Sequence, residues 1–263
     1  MVTMRKTAII VPCYNEAIRI QKDEFLHNCD LHQHVSFIFV NDCSEDDTAR
    51  ILQELQSIKP KQISTITLSK NSGKAEAVRQ GLLYALGDDF DYIGYWDADL
   101  STPLSNIEVF IGKLDESPER DIIMGARVKL LGRSIFRQPL RHYLGRTFAT
   151  FTSMVLGLSV YDTQCGAKMF RNSPLLIKIF AEPFRTRWIF DVEILARYLA
   201  MSNNNLQQII TEKIVEYPLE SWTHVSGSKI RIKDFAGGAL DLFRIWLSYH
   251  KNLVRIRKDN SNT

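Results

Sequence analysis

The sequence predicts an α/β protein in which a mostly parallel central sheet carries helices on both faces. Four apolar runs with the character of β-strands begin at Thr7, Val35, Gln62 and Asp91, so their starts lie 27 to 29 residues apart. That interval accommodates one strand and one helix, because a crossover between parallel strands needs about a dozen residues or more. Apolar runs without strict alternation are typical of strands covered on both faces. A Rossmann-like arrangement is therefore the predicted fold class.

The first three predicted strands are each followed by a polar turn and a helical segment. The predicted strands are residues 7–12, 35–40, 62–68, 91–96 and 121–124. The predicted helices end near Asn28, run from Asp46 or Asp47 through Ile58, and span residues 73–87. We expect Asp46 or Asp47 to cap its helix, because an aspartate at a helix start accepts a hydrogen bond from a free backbone N–H group.

The pattern changes after Met124, where a basic loop begins. The later predicted elements are a helix at 140–156, short pieces up to Phe170, a helix near 190–200, a strand at 208–216 and a long C-terminal helix. No Pro/Gly/Ser-rich linker separates the two halves. We therefore expect one domain over residues 1–263, with a first half (1–124), a second half (125–226) and a C-terminal amphipathic helix with a basic tail (227–263).

The composition and charge are those of an ordinary globular protein. The 263 residues are 45% hydrophobic and 24% charged, with 33 Lys and Arg against 30 Asp and Glu, which excludes a disordered, collagen-like or disulfide-stapled chain. The net charge of +3 conceals two basic segments: residues 125–146 hold six basic residues and no acid, and residues 227–263 hold eight basic residues and three acids. Basic segments on an otherwise acidic chain favour the binding of anions at defined places.

The sequence predicts a cytoplasmic location. The N-terminal apolar run ends at Pro12 and is too short for a signal peptide. The longest uncharged stretch, residues 147–161, has 15 residues, whereas a membrane-spanning helix needs about 20. The four cysteines form no CxxC pair and so suggest no zinc site. A peripheral position on the cytoplasmic face of the membrane is also compatible with this pattern.

Polar clusters follow four of the predicted strands. They are residues 12–16, Asn41 with Asp42, residues 70–74 and residues 97–99. In an open parallel sheet the carboxyl ends of the strands share one edge, and ligands bind there. A single acidic turn is most often a capped loop, but four such clusters at one edge indicate a ligand site.

Known nucleotide and phosphate motifs do not fit these clusters. No GxGxxG follows the first strand, which argues against a dinucleotide site. Gly73 and Lys74 lack the upstream glycine of a P-loop, because Leu68 occupies that position. Residues 97–101 resemble the aspartyl loop of haloacid-dehalogenase-like phosphatases, but the next strand ends without the acidic residues that those enzymes need. No nucleic-acid-binding motif accompanies the basic segments, so nucleic acid is not an expected partner.

Asp97 and Asp99 predict a divalent-metal site. Two carboxylates two residues apart in an extended turn present oxygens to one hard cation. Mg²⁺ and Mn²⁺ prefer such ligands and bridge them to phosphates. The expected cofactor is therefore Mg²⁺ or Mn²⁺, and the expected ligand is a nucleotide diphosphate.

As an ordered set, these motifs resemble glycosyltransferase family 2, whose nucleotide-binding fold is called GT-A. The resemblance covers about residues 7 to 250 and rests on residues 11–16, 40–48, 71–74, 79–81 and 97–99. Within the family, residues 162–168, 187–193 and 222–229 are similar to those of polyprenyl-phosphate sugar synthases, especially dolichyl-phosphate β-glucosyltransferases and their bacterial relatives.

The resemblance implies roles for individual residues. The nucleotide would be held by Pro12, Tyr14, Glu16, Asp42, Lys74 and Asp97. Asp99, with Asp97 beside it, would ligate the metal that bridges the diphosphate. Residues 1–124 would then bind the nucleotide-sugar, and residues 125–226 the acceptor.

The implied activity is metal-dependent, inverting transfer of a hexose from a nucleotide-diphospho-sugar, with UDP-glucose favoured, to a polyprenyl-phosphate lipid. A lipid phosphate is already anionic and needs cations, which Arg127 and Arg146 would supply, with Arg141 as a further candidate. A saccharide hydroxyl, as in polysaccharide or O-antigen assembly, would instead need a general base, for which Asp191 is the candidate. A non-catalytic nucleotide-sugar-binding protein is the remaining alternative.

The predicted C-terminal helix carries one apolar stripe. Its members are Phe235, Ala239, Leu242, Trp246, Tyr249, Leu253 and Ile256. Such a stripe packs on the core, contacts a second copy of the chain, or lies on an anionic membrane surface, which its basic flank and aromatic residues also suit. The sequence leaves these three alternatives open.

Overall fold

The computed structural model describes residues 4–136, 139–202, 204–225 and 232–260, without the side chains of 136–144, 232–236 and 255–260. The Arg141 side chain, the Phe235 and Ile256 side chains of the predicted stripe, and part of the 222–229 motif therefore lie outside the described residues.

The described strands form two sheets. They are β1 (Thr7–Cys13), β2 (Val35–Asn41), β3 (Ile63–Thr67), β4 (Tyr92–Trp96), β5 (Ile122–Ala126), β6 (Ser134–Phe136), β7 (Ala167–Arg171), β8 (Ile214–Pro218) and β9 (Ser221–Thr223). The larger sheet has seven strands in the order β3-β2-β1-β4-β7-β5-β8, and β6 pairs with β9 separately. In the larger sheet β7 runs antiparallel to β4 and β5, and the other described pairings are parallel.

Helices cover both faces of the larger sheet. They are α1 (Lys22–Leu31), α2 (Thr48–Ile58), α3 (Lys74–Ala85), α4 (Asn106–Asp115), α5 (Pro139–Leu156), α6 (Pro174–Ala181), α7 (Phe190–Met201), α8 (Leu206–Gln208) and α9 (Ile232–Asn260). One core contains residues of α1, α2 and α4, and the other contains residues of α3, α6, α7 and α9. The predicted class, a mostly parallel sheet between helical layers, is confirmed.

β1 shows why this layering is needed. Ala8, Ile9, Ile10 and Val11 are all fully buried. Because neighbouring side chains of a strand point to opposite faces, such a run needs apolar cover on both sides. Each buried Ile or Val stabilises the fold by about 1.5–3 kcal/mol relative to exposure.

The predicted strand at 208–216 is wrong for residues 208–213. Asn205 starts a short helix there, because its side-chain oxygen accepts the Gln208 N–H at 2.9 Å and the Gln208 side chain caps the N–H of Asn205 in return. The helix continues as a π-helical turn over Ile209–Lys213, and only Ile214–Pro218 pairs with β5. The capping box thus overrides the strand preference of the apolar residues that follow it.

Of the two predicted caps of α2, Asp46 makes the hydrogen bonds. Its Oδ1 accepts from the N–H of Thr48 at 3.0 Å and from the hydroxyl of Thr48 at 2.5 Å. Asp47 occupies the N-cap position without a side-chain cap bond. Helices α4 and α6 are absent from the predicted elements.

The apolar residues of α9 fall on two sides of the helix. Leu242, Ile245 and Leu253 are buried in the core, whereas Ala239 and Trp246 of the predicted stripe are exposed. An exposed apolar patch on this helix, which we call the α9 patch, consists of Leu240, Phe243, Trp246 and Leu247. Among the described helices none is both long enough and apolar enough to cross a membrane.

Candidate active site

The chain changes direction across the sheet at β1 and β4. From β1 it moves outward to β2 and β3, and it then returns to β4 on the other side of β1. Loops that leave the carboxyl ends of such a strand pair diverge and open a crevice, where α/β sheets of this type bind ligands. The turn after β1 and residues 97–99 after β4 therefore flank the expected binding crevice.

The turn after β1 is tied to the loop after β2. Asn15 has a left-handed φ of 49°, which asparagine tolerates better than most residues. The Asn15 side-chain oxygen accepts the N–H of Glu45 at 2.8 Å, and the buried Glu16 donates its own N–H to Thr48 Oγ1 at 2.8 Å. Pro12, within β1, and Tyr14, on this turn, are half-buried, and both are predicted nucleotide-binding residues.

Asp42, at the end of β2, organises the loop before α3. Its Oδ1 accepts the N–H of Ser72 and its Oδ2 accepts the N–H of Gly73, both at 2.7 Å. Gly73 has a φ of 91°, which an L residue rarely adopts, and a Cβ there would lie 3.0 Å from Nε of Arg187. Asp42 thus positions the start of α3, and its role in holding the nucleotide stays a prediction.

Lys74 and Asp97 form an ion pair across the crevice. The Nζ of Lys74 lies 2.5 Å from Oδ1 of Asp97. Burial lowers the pKa of Lys74, but the carboxylates of Asp97, Asp191 and Asp99 outweigh it and raise that pKa above its ordinary value of 10.5. Lys74 is therefore an ammonium ion at neutral pH and suits the diphosphate of a nucleotide.

Asp97 packs directly against Gly166, the residue before β7. The Asp97 N–H donates to the carbonyl of Gly166 at 3.0 Å. A Cβ built on Gly166 would lie only 1.8 Å from Asp97 Oδ2, so only glycine fits there. The predicted motif 162–168 contains Gly166, but no sequence signal connected this residue with Asp97.

Asp99 is oriented by its own turn and by Arg19. Asp99 Oδ1 accepts the N–H of Ser101 at 3.0 Å, and Asp99 Oδ2 lies 3.8 Å from Nη1 of Arg19, which also pairs with Glu16. The side chains of Asp97 and Asp99 keep 38% and 20% of their surface exposed. Two accessible carboxylates fit a hard divalent cation such as Mg²⁺ or Mn²⁺.

Asp191 belongs to a buried ionic network. It is 4% exposed, and its Oδ1 accepts from Nζ of Lys168 at 2.6 Å and from the hydroxyl of Tyr95. Lys168 is fully buried and also donates to the carbonyls of Thr163 and Cys165, at 2.9 and 2.7 Å. Burial and the Asp191 carboxylate raise the pKa of Tyr95 well above 10. The candidate base, Asp191, is thus already paired with the ammonium group of Lys168.

Arg127 is paired within the protein. Its Nε and Nη2 donate to the two carboxylate oxygens of Asp162 at 2.6 and 2.7 Å, and its guanidinium lies 5.3 Å from the ring centre of Trp222. Burial lowers the pKa of Arg127, but the carboxylate of Asp162 raises that pKa by a larger amount. The guanidinium therefore stays charged. Glu216 accepts the N–H groups of Tyr161 and Asp162 and holds the same loop.

Arg146, on α5, reaches the same loop from another side. Its Nη1 donates to the carbonyl of Tyr161 at 3.1 Å, and its guanidinium lies 3.9 Å from the centre of the Tyr161 ring. The structure therefore brings Arg127 and Arg146 to the adjacent residues Tyr161 and Asp162. Their contact with an acceptor phosphate stays a prediction.

For several residues at the site, no role was predicted from the sequence. Tyr95 and Lys168 complete the network of Asp191, and Lys168 is detectable as the one charged residue within residues 167–170. The exposed Arg187 donates from Nη2 to Asn71 Oδ1 at 3.1 Å, beside the loop that leads into α3. Residues 187–193 form a predicted motif, but its spacing does not show which loop Arg187 contacts.

Comparison with known proteins identifies one family. Residues 8–176 match the family model described as glycosyl transferase family 2. The chain is 30% identical to a dolichyl-phosphate beta-glucosyltransferase of Trichomonas vaginalis, over 98% of this chain and 75% of that protein. It is 33% identical to the protein of that name from Drosophila melanogaster, over 95% of this chain and 77% of that protein.

Solved structures share the fold. Glucosyl-3-phosphoglycerate synthase of Mycobacterium tuberculosis, in complex with Mn²⁺, UDP and glucosyl-3-phosphoglycerate, superposes with a TM-score of 0.63 at 15% identity, over 93% of this chain and 80% of that one. The same enzyme with Mg²⁺ and UDP gives a TM-score of 0.65 at 15% identity, over 93% and 79% of the two chains. Together with the family match, the GT-A-like fold and the sequence relatives show that this chain is a glycosyltransferase belonging to glycosyl transferase family 2.

Proposed function

We propose that this enzyme transfers glucose from UDP-glucose to a polyprenyl phosphate, with inversion at the anomeric carbon. The observation that carries the proposal is the convergence of Lys74, Asp97 and Asp99 at the switch point of the sheet. The relatives named above, dolichyl-phosphate beta-glucosyltransferases that match nearly the whole chain, support the choice of sugar and acceptor.

The donor would lie across the carboxyl ends of β1 and β4. Pro12, Tyr14 and Glu16 would hold the base and ribose, and Lys74 would contact the diphosphate. Asp99, with Asp97, would hold Mg²⁺ or Mn²⁺. That ion, when bound, neutralises the charge that develops on the departing diphosphate.

The pairing of Asp191 favours a phosphate acceptor over a hydroxyl acceptor. A hydroxyl needs a carboxylate that is free to take its proton, whereas Asp191 is buried and bonded to Lys168 and Tyr95. A phosphate oxygen attacks the anomeric carbon as an anion, forms the new C–O bond and releases UDP without a base. Arg146 lies at the loop before β7 and suits the docking of that phosphate.

The surface near Arg146 also suits a lipid. On the same helix, α5, Phe151 and Met154 are 57% and 67% exposed, and the segment 147–161 holds no charge. α9 packs against α5 and carries the α9 patch. These two helices would lie against the cytoplasmic face of a membrane, where a polyprenyl chain is anchored.

Radiolabelled UDP-glucose, Mn²⁺ and purified polyprenyl phosphate test the activity. We expect label in the organic phase with the wild type, and loss of transfer in Asp99→Asn while the far-UV circular dichroism stays unchanged. Transfer that survives both Asp99→Asn and excess chelator would rule out a metal-dependent mechanism. Tight UDP-glucose binding without transfer to polyprenyl phosphate would contradict this choice of acceptor.

A matched pair of variants tests the acceptor class. For a lipid phosphate, Arg146→Ala should impair lipid use far more than UDP-glucose affinity, and Asp191→Asn should be the milder lesion at a temperature where both variants are folded. If Asp191→Asn abolishes transfer and Arg146→Ala stays active, the acceptor is a saccharide or protein hydroxyl.

A further inference from the structure

Three potential metal ligands converge at a place outside the donor crevice. His32 follows α1, His34 precedes β2, and Glu108 lies in the first turn of α4. One ligand atom from each lies within 4.8 Å of the others. Oε1 of Glu108 is 3.2 Å from Nδ1 of His32 and 3.0 Å from Nε2 of His34.

These spacings match the edges of a tetrahedral metal site. Zn²⁺ binds imidazole nitrogen and carboxylate oxygen at about 2.0–2.2 Å, which places tetrahedral ligand atoms about 3.3 Å apart. The two measured N–O distances involving Glu108 are close to this value. Ordinary ion pairs have similar distances, so distance alone does not distinguish a metal site from an ion pair. The hydrogen bonding of the three groups distinguishes the two.

The hydrogen bonding favours a cation. Oε1 of Glu108 is buried and accepts no hydrogen bond, although both imidazoles approach it closely. The imidazole N–H directions therefore do not point at this oxygen, and the contacts are not well-aligned hydrogen bonds. A metal ion between the three ligands would satisfy Oε1 and coordinate one nitrogen of each histidine.

A pocket lies beside one of the three ligands. His32 lines a pocket of about 400 Å³ between α1 and residues 100–105. The buried Asn28 Oδ1 has no hydrogen-bond partner and belongs to a residue of the same pocket. A three-ligand site beside such a pocket can complete its coordination with water.

We propose that His32, His34 and Glu108 bind Zn²⁺ or a similar borderline divalent metal ion. Imidazole nitrogen suits Zn²⁺, Co²⁺ and Ni²⁺, whereas Mg²⁺ prefers oxygen ligands, so this site is chemically distinct from the pair Asp97 and Asp99. The ion would tie the end of α1 and the start of β2 to α4. The proposal does not depend on the identity of the donor or acceptor.

Zinc binding to the full chain tests the site. With excess Mg²⁺ and UDP present to occupy the donor crevice, equilibrium dialysis and elemental analysis should find one Zn²⁺ per chain. We expect His32→Gln and Glu108→Gln each to weaken Zn²⁺ binding at least about tenfold, since each removes one of three ligands. The matched control is His27→Gln, which changes an exposed histidine of the same pocket and should bind as the wild type does.

The visible spectrum of bound Co²⁺ tests the coordination geometry of the metal ion. Co²⁺ should give the visible bands of a four-coordinate ion in the wild type and in His27→Gln, and lose them in the two ligand variants. Zn²⁺ should also raise the Tm of the wild type but not that of the ligand variants. Absence of Zn²⁺ binding by the wild type, or undiminished binding by both ligand variants, would overturn the proposal.

Discussion

At the scale of single residues, Gly166 sets the position of Asp97. A Cβ at this position would lie 1.8 Å from Asp97 Oδ2, so the carboxylate has to move in Gly166→Ala. A displacement of about 1 Å in an active site costs about 100-fold in rate. We therefore expect kcat/KM for glucosyl transfer to fall about 100-fold in this variant, measured by steady-state kinetics.

Gly112→Ala is the matched control for that substitution. A Cβ on Gly112, within α4, meets no other atom within 4 Å. Alanine there should leave the kinetics unchanged and stabilise the helix by about 0.5–1 kcal/mol. Wild-type kinetics in Gly166→Ala would show that the contact of Gly166 with Asp97 is not needed for transfer.

Lys168 is expected to have a large effect on stability. Lys168→Met leaves the buried Asp191 carboxylate without its cation, and removing one partner of a buried ion pair costs about 3–5 kcal/mol. The free energy of unfolding in urea should fall by that amount. Lys113→Met, which removes an exposed pair with Glu116 at 2.7 Å, should cost no more than about 1 kcal/mol. Equal losses in the two variants would contradict the role of Lys168.

At the scale of secondary-structure elements, β7 joins the two halves of the described sheet. It inserts antiparallel between β4 and β5, and its preceding loop carries Asp162 and Gly166 to the residues that follow β5 and β4. Arg127 thereby meets Asp162, and Asp97 meets Gly166. One strand thus connects the crevice between β1 and β4 with the loop that Arg146 contacts.

Helix α6, which follows β7, depends on a side-chain cap. Ser173 Oγ accepts the N–H of Leu176 at 3.2 Å, so Ser173→Ala should lower the free energy of unfolding by about 1 kcal/mol. Ser105, at the N-cap of α4, makes no such bond, and Ser105→Ala should change stability by much less. Chemical denaturation of the two variants measures the difference. A larger loss in Ser105→Ala would contradict this assignment.

At the scale of the whole molecule, exposed apolar side chains gather on the adjoining helices α5 and α9. Within the α9 patch, Phe243 and Trp246 stack with ring centres 5.8 Å apart. Burial of each such side chain in a membrane interface contributes about 1.5–3 kcal/mol. We therefore expect the wild type to float with anionic vesicles, and Phe243→Ser/Trp246→Ser to bind them at least about tenfold more weakly.

The control for vesicle binding is Ile18→Ser. Ile18 is fully exposed in the segment between β1 and α1, away from the α9 patch, and its replacement should leave vesicle binding unchanged. If the patch contacts a second copy of the chain instead, the wild type will elute as a dimer, the double variant as a monomer, and neither will bind vesicles.

The sequence by itself determined the layered sheet and the edge that carries the site. β1, β2 and β4 follow the predicted runs to within a residue or two, because burial on both faces leaves a local apolar signal. The clusters containing Glu16, Asp42, Lys74 and Asp97 lie at strand ends as predicted, because the direction of parallel strands places those ends at one edge. Periodicity and strand direction are local properties, so they can be predicted from the sequence.

Only the tertiary structure decided how the charged residues pair. Arg127 meets Asp162, 35 residues away, and Lys168 meets Asp191, 23 residues away. No spacing rule connects such residues, because their distance depends on where β7 enters the sheet. The contact of Gly166 with Asp97 and the division of α9 into a buried and an exposed side were unpredictable for the same reason. Each depends on which distant segments pack together, and the sequence pattern of one segment does not specify its packing partner.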